Sequence, residues 1–400
     1  MSKVFTLPPR SAEEPRPPGF NSIEEILDEL RAGRMVIILD DEDRENEGDL
    51  IMAAEHASPD AVAFMIRHTS GIICVPMESE RLRSLDLPQM VPANTESYRT
   101  AFTVSVDYLH GTTTGVSSND RSATIRALAD AQSAPADFAR PGHIFPLRPR
   151  RGGVLVRAGH TEAAVDLCKL AGLKPVGVLC EIMNDDGSMA RRSQLEVFAQ
   201  RHGLKIGTIA DLIRYRLRNE RSVERIAEHP VQTEFGEFRL YAYQDRVNGC
   251  VHLALARGQF DGVEAPLVRV HHADTLRDLI GVRGESRAWT LRAALERVAR
   301  SGNGAIVILR EQETSGELAD ALKALSPGNA DPATAPRPAM PAAERPLKAG
   351  TGPILRTYGV GAQILKDLGV RRMRVLSAPR QVHGLSAFGL EIEAYVGEET

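Results

Sequence analysis

The chain has 400 residues, 42% of them apolar and 26% charged, and a formal net charge of −4. That length favours two domains with cores of their own. The charge excludes a general binder of nucleic acid or anionic membranes, and no apolar stretch approaches the ~20 residues that cross a bilayer.

Residues 1–20 are proline-rich and mixed in charge, with no apolar signal-peptide core, and read as a disordered lead-in. Ile23, Ile26, Leu27 and Leu30 keep helical spacing, with Asn21 or Ser22 as N-cap and Gly33 at the end. A strand follows at 35–39. Residues 59–69 form a second amphipathic helix, and strands are expected at 71–75 and 101–106. A helix at 122–131, a short strand at 154–156 and a helix at 161–170 come next. They are followed by a strand at 176–183 and a helix at 193–202. Strands and helices mix without strict alternation, so the fold class is α+β with a mixed sheet. The first domain runs from 21 to 220.

The second domain, 231–400, carries strands at 235–243, 266–270 and 305–309 and a helix at 290–299. Residues 326–353 hold seven prolines among alanines and glycines, a composition that supplies no packed core and reads as a flexible insert. The four cysteines, Cys74, Cys168, Cys180 and Cys250, show no Cys-x-x-Cys pair. Neither a structural zinc site nor a disulfide framework is expected, and a reducing, cytoplasmic setting fits.

Residues 40–49 hold seven carboxylates and one arginine. The run starts at the end of the strand at 35–39, and the apolar Leu50-Ile51-Met52-Ala53-Ala54 resumes directly after it. Charge runs are usually solvated turns. One set between two core strands crowds negative groups at a sheet edge and calls for a compensating cation. Other polar groups also sit at the ends of apolar stretches. The Gly111-Thr112-Thr113-Thr114-Gly115 turn offers amides and hydroxyls to a phosphate, although such turns are mostly structural. Arg140-Pro141-Gly142-His143 presents a histidine after a Pro-Gly turn. Arg157 precedes a helix start containing His160 and Thr161, which suits an anion or simple capping. Glu181 emerges from the strand 176–180. Taken together, carboxylates and a histidine suit Mg2+ or Mn2+, arginine and threonine suit a phosphate, and further carboxylates move protons. This is equipment for enolising and rearranging a sugar phosphate.

The segments that carry these groups resemble the 3,4-dihydroxy-2-butanone 4-phosphate synthase family of riboflavin biosynthesis. The resemblance starts with Asp40 to Asp49 and continues through Ile66-Arg67-His68, Asp86-Leu87-Pro88, Thr113-Thr114-Gly115-Val116-Ser117 and Arg140-Pro141-Gly142-His143. It closes with Gly159-His160-Thr161-Glu162-Ala163, Gly177 to Glu181 and Met183-Asn184-Asp185-Asp186-Gly187. It covers about residues 20–217. The resemblance implies an α+β fold, a homodimer with sites near the subunit interface, and Mg2+-dependent conversion of D-ribulose 5-phosphate to 3,4-dihydroxy-2-butanone 4-phosphate and formate. It makes Glu45 and His160 metal ligands. Arg44, Glu45, Asp49, Thr114, Arg157, Thr161 and Glu181 would contact substrate. His143 and Glu181 would move protons, assisted by Asp40 and Cys74.

The second half resembles the α/β GTP cyclohydrolase II domain through Pro266 to His271, Arg356 to Leu365 and Asp367 to Arg371. It departs from that family at its zinc cysteines: Asp274 stands near the first position and 283–290 contains none. The Gln-Glu-Gly-Arg-Gly segment reads Gln312-Glu313-Thr314-Ser315-Gly316. No zinc and no cyclohydrolase activity are expected. The alternatives are a bifunctional enzyme with a rearranged metal site, or a binding or oligomerisation module.

Overall fold

Val36–Leu39 is buried at all four positions, and so is Gly48–Ala53 at all six, because each strand is covered on both faces. These strands belong to a computed structural model that describes residues 4–6, 19–260, 262, 264–282, 289–310, 318–319, 322, 351–378 and 388–397. The chain divides into two compact units. One spans Arg16–Arg216 with Ala349–Pro353, and the other Leu217–Lys348 and Ile354–Thr400 with Met1–Pro15.

Strands are numbered along the chain: β1 (Val4–Thr6), β2 (Val36–Leu39), β3 (Gly48–Ala53), β4 (Cys74–Pro76), β5 (Val106–Tyr108), β6 (Phe138–Leu147), β7 (Gly177–Glu181) and β8 (Lys205–Thr208). In the first unit they form one mixed sheet of order β5-β6-β4-β7-β3-β2-β8. Alternation divides β3 between two faces. Leu50 and Met52 join Ile37, Leu39, Val178 and Ile206 in a core shared with helices α2 (Pro59–His68), α4 (Ser118–Ala129) and α6 (Arg192–His202). The opposite face, with Val36, Ile38 and Ile51, is covered by α1 (Ile23–Arg31) and α5 (His160–Leu170). Helix α1 is fixed by a capping box between Ser22 and Glu25 and buries the four residues that its spacing picks out. α3 (Ser79–Ser84) is a single short turn of helix.

Three local expectations differ. Residues 154–156 form no strand. Gly152 and Gly153 adopt positive φ (96° and 63°), and Asp166 accepts from the Val154 N–H (2.8 Å), which coils Gly153–Leu155 into a 3-10 turn. Residues 101–105 make only isolated bridges, Phe102 to Leu147 and Thr103 to Gln89, and the strand begins at Val106. The lead-in, expected to lack structure, contributes β1, which pairs antiparallel with the last strand of the chain.

After α7 (Ile209–Asn219), the second unit continues with β9 (Val223–Thr233), β10 (Gly236–Asp245), β11 (Val251–Arg257), β12 (Leu267–His272), β13 (Gly304–Leu309), β14 (Arg372–Leu376) and β15 (Glu391–Val396). Its sheet order is β1-β15-β14-β12-β13-β11-β10-β9. In β13, Ala305, Val307 and Leu309 face a core containing Val360, Ile364 and Leu365 of α9 (Thr351–Asp367). Ile306 and Ile308 face Trp289, Ala294 and Val298, the latter two on α8 (Leu291–Ser301). A sheet covered on both faces makes this unit α/β. Most of the expected insert, 326–350, lies outside the described residues.

Gly142 is needed for space. A Cβ there would lie 2.0 Å from the Val106 carbonyl carbon and 2.2 Å from the Asp107 nitrogen, both main-chain atoms of the adjacent strand. Gly142→Ala should therefore force β6 away from β5 and lower stability by about 1–3 kcal/mol, the range for overpacking. A fall in the thermal unfolding midpoint would register it, and an unchanged midpoint would refute the close packing.

Candidate active site

Strand register explains how residues from distant parts of the chain come to one place. Asp49 of β3 stands opposite Glu181 of β7 on one side and Ile38 of β2 on the other. All three point to the face covered by α5. Gly159 is the N-cap of α5, so His160 and Thr161 occupy its first turn, where backbone N–H groups lack intrahelical partners. His160 is 6% exposed, and its Nε2 bonds the Ile38 carbonyl at 3.0 Å. That bond leaves Nδ1 towards Glu45 Oε2 at 3.8 Å and Asp49 Oδ1 at 3.7 Å.

The acidic run folds back on itself. Asp40 accepts the Glu45 and Glu47 N–H groups at 3.1 and 2.8 Å, which turns the loop into a cup. Arg44 Nη1 bridges Asp40 Oδ2 at 2.8 Å and Glu45 Oε2 at 2.5 Å. Burial opposes ionisation of Glu45, but His160 and Arg44 override it and hold the carboxyl at about 2. For His160, burial opposes the charge, while Asp49, Glu45 and Asp40 raise its pKa to about 9. Burial pushes Asp49, 2% exposed, up to about 8. Its Oδ1 accepts no hydrogen bond among the described residues.

These atoms fit a divalent cation. Ligand atoms of Asp40, Glu45 and His160 lie within 4.8 Å of one another. A metal-binding histidine typically fixes its ring by donating its other N–H to a carbonyl, the role Ile38 plays here. Carboxylate oxygens with one imidazole suit Mg2+ or Mn2+. Asp40 thereby joins Glu45 and His160, the two ligands expected from sequence, as a third candidate.

Arg157 has all three edges engaged. Nε donates to the Tyr98 carbonyl at 3.1 Å, Nη1 to Glu162 at 2.7 Å and Nη2 to Thr100 Oγ1 at 2.8 Å. Glu181 Oε2 accepts the Ile72 N–H at 2.9 Å. A Cβ on Gly71 would sit 2.5 Å from that same oxygen, so the chain passes here only as glycine.

A second group forms around His143. Its Nδ1 lies 2.7 Å from Asp107 Oδ2, and its main-chain N–H donates to Oδ1 at 2.9 Å. The ring is thereby fixed with Nε2 outermost, and its side chain is 48% exposed. Gly115 (φ 85°) closes against the Asp107 carboxylate, which places the exposed Thr114 in the same neighbourhood. Asp120 holds that turn by accepting from Thr113 Oγ1 and the Gly115 N–H. In the sheet order, β6 stands two strands from Glu181 and three from Asp49. Three spacings amount to roughly 14 Å. The expected residues thus fall into two groups in one chain. Cys74 joins neither as an accessible group: it is 1% exposed, and burial pushes its thiol well up, with Glu181 and Asp49 adding to the effect.

Sequence reasoning missed Asp107, Glu162, Tyr98 and Thr100. Asp107 ends an alternating apolar run and Glu162 lies in the first turn of a helix, but only tertiary contact reveals their partners. In the second unit, Asp274 Oδ1 caps the following turn by accepting the Arg277 N–H at 2.9 Å. His271 Nε2 bonds Asp278 at 2.8 Å. The segments 283–288 and Gln312-Glu313-Thr314-Ser315-Gly316 lie outside the described residues.

Comparison with known proteins gives the family. Residues 24–215 match the family described as 3,4-dihydroxy-2-butanone 4-phosphate synthase, and residues 224–397 the family described as GTP cyclohydrolase II. A 3,4-dihydroxy-2-butanone 4-phosphate synthase of Pseudomonas aeruginosa is 50% identical over 379 residues, 95% of this chain and 99% of its own. A bifunctional riboflavin biosynthesis protein of Arabidopsis thaliana is 47% identical over 94% of this chain and 68% of its own length. The solved structure of a two-domain 3,4-dihydroxy-2-butanone 4-phosphate synthase from A. baumannii aligns with a TM-score of 0.78 at 42% identity, over 94% of this chain and 100% of that one. With half of all positions identical along nearly the whole of a named synthase, the chain belongs to the 3,4-dihydroxy-2-butanone 4-phosphate synthase family, enzymes of riboflavin biosynthesis.

Proposed function

We propose that the first unit converts D-ribulose 5-phosphate to 3,4-dihydroxy-2-butanone 4-phosphate and formate at the His160 cluster, with Mg2+ or Mn2+ held by Glu45, His160 and Asp40. The observation that carries this is His160 itself, one nitrogen spent on Ile38 and the other turned towards the half-buried Glu45 and buried Asp49 carboxylates. The four-carbon product and formate together hold all the atoms of the substrate, so neither water nor oxidant is consumed. A bound divalent cation would supply Lewis acidity towards the sugar carbonyl and hydroxyls.

The chain's own groups do the rest. Thr161, the first amides of α5 and the two remaining N–H groups of Arg157 take the phosphate. Arg44 and Asp49 orient the sugar hydroxyls. Glu181 keeps one oxygen on Ile72 and offers the other to a carbon-bound proton. His143, held through Nδ1 by Asp107, exchanges protons at Nε2. A sugar phosphate is too short to reach from Asp49 to His143 across roughly 14 Å of sheet. The reading is therefore a homodimer in which His143 and Thr114 of a second copy complete each site. Four free cysteines support a reducing, cytoplasmic setting, and no helix among the described residues is long and apolar enough to cross a membrane.

For the second unit we infer no cyclohydrolase activity. Support comes from the missing thiolates and from Asp274, whose side chain is spent on a helical cap. Catalytic zinc needs three protein ligands and an open position, and thiolates are the ligands that the cyclohydrolase pattern supplies.

Glu45→Gln and His160→Ala should each reduce formate release from D-ribulose 5-phosphate by at least about 100-fold, the upper end of what losing even an outer-shell partner of a metal ligand costs. Calorimetric titration should show Mn2+ affinity falling with it; wild-type Mn2+ binding in both variants would exclude this cluster as the metal site. Subunit sharing predicts complementation. Inactive His143→Ala and Glu45→Gln proteins, mixed and allowed to exchange subunits, should recover about a quarter of wild-type turnover, from one intact site in each mixed dimer. No recovery despite demonstrated exchange would place both groups in one chain's site. Finally, the wild-type protein given GTP and Zn2+ should yield no pyrimidine product, and any such product would overturn the inactive reading.

A further inference from the structure

Residues 94–100 form a small self-fastened loop. Asn94 Nδ2 donates to the Thr100 carbonyl at 2.8 Å, and Asn94 Oδ1 accepts the Glu96 N–H at 2.9 Å. The Glu96 carboxylate then accepts the N–H groups of Tyr98 (2.8 Å) and Thr100 (2.7 Å). Arg99 takes φ of 58°, which turns the chain sharply between these two residues. The loop is therefore set by its own hydrogen bonds, and what it presents is Tyr98.

Tyr98 contacts two arginines that are far apart in sequence. Its ring covers the Arg44 guanidinium, with Cζ 4.9 Å from the ring centroid. Its hydroxyl donates to the Arg44 carbonyl at 3.0 Å, so the ring is pinned at both ends. Its own carbonyl accepts Arg157 Nε at 3.1 Å, while Thr100 Oγ1 takes Nη2. Arg44 would otherwise reach its two carboxylates from a solvated, mobile side chain. An aromatic face over a guanidinium removes water from one side and fixes its plane. Of the five Arg157 N–H groups, three are spent on Tyr98, Thr100 and Glu162. The orientation of the remaining two is therefore set by the loop.

We propose that Tyr98 is a positioning residue for the synthase reaction, one that fixes Arg44 and Arg157 in a common geometry for the phosphorylated substrate. This rests on the reading of those arginines as substrate-holding groups. Tyr98 is itself 41% exposed, so it adds little to the core. Its contribution falls on substrate binding, because an arginine held in advance loses less freedom when the anion arrives.

The test uses full-length protein, saturating Mg2+ and D-ribulose 5-phosphate, with formate release and thermal unfolding measured for Tyr98→Leu, Tyr98→Phe and Arg157→Lys. Tyr98→Leu should raise KM by about tenfold or more while kcat stays within about threefold and the unfolding midpoint is unchanged. Tyr98→Phe keeps the ring and the main-chain carbonyl, and should restore KM to within about threefold of wild type. A wild-type KM in Tyr98→Leu would overturn the proposal. So would a parallel fall in kcat and unfolding midpoint at constant KM, the mark of a merely structural residue. A Tyr98→Phe protein as impaired as the leucine variant would overturn the part given to the ring. Arg157→Lys separates the two levels: a raised KM there, with Tyr98→Leu normal, sinks only the positioning role. An unchanged KM in Arg157→Lys sinks the substrate reading of Arg157 itself.

Discussion

The first unit is organised around one electrostatic problem, the placing of Asp40, Glu45 and Asp49 against a buried imidazole. Carboxylates this close and this dry repel one another and lose hydration, a cost that only compensating charge offsets. Arg44 neutralises the outer pair, Asp40 and Glu45, and is itself held by a tyrosine ring. His160 serves the inner side, and its position depends on the start of α5 lying over Ile38. Asp49 is left with an oxygen that no described group satisfies. Stability alone would favour an apolar residue at such a place. A buried carboxylate oxygen left without a hydrogen bond is a mark of a functional site rather than of a stabilising contact.

The same constraint accounts for the loops around the sheet. Asp40 gives both carboxylate oxygens to the main chain of its own loop, so the cup is shaped before any ligand arrives. Glu96 does the same for the loop that carries Tyr98. Asp120 and Asp107 fix the turn at Thr114 and the ring of His143. In each case a carboxylate is spent on main-chain N–H groups to hold another side chain in place. Preformed geometry of this kind lowers the entropic cost of binding a small, highly solvated substrate.

The second unit packs its sheet independently of what its loops hold. Its sheet remains covered on both faces, because β13 alternates between the α8 and α9 cores whatever the loops contain. Asp274, which stands near a cysteine position of the cyclohydrolase pattern, lies beyond the end of β12 and outside that packing. Asp274 has found local employment as a helical cap, a role that any short acidic side chain fills at that position. A fold of this kind does not by itself fix an activity, because packing and chemistry reside in different residues.

Apolar spacing by itself determined most helices and the central strands, since burial on one face imposes a period that the chain cannot hide. Composition fixed the two-domain organisation and the absence of a membrane-spanning stretch. Order and spacing of motifs carried the family, and with it the expectation that Glu45, His160, His143 and Glu181 are site residues. Local chemistry misled where two glycines in succession, Gly152 and Gly153, turned an apolar triplet into a 3-10 turn. What only the tertiary structure decided is partnership. Asp49 faces Glu181 through strand register, His160 spends one nitrogen on Ile38, and Tyr98 reaches two arginines 54 and 59 positions away. The division of the expected residues into two groups, two to three strands apart, was equally invisible in the sequence. Sequence spacing carries no record of which strands become neighbours; long-range pairing in the sheet does.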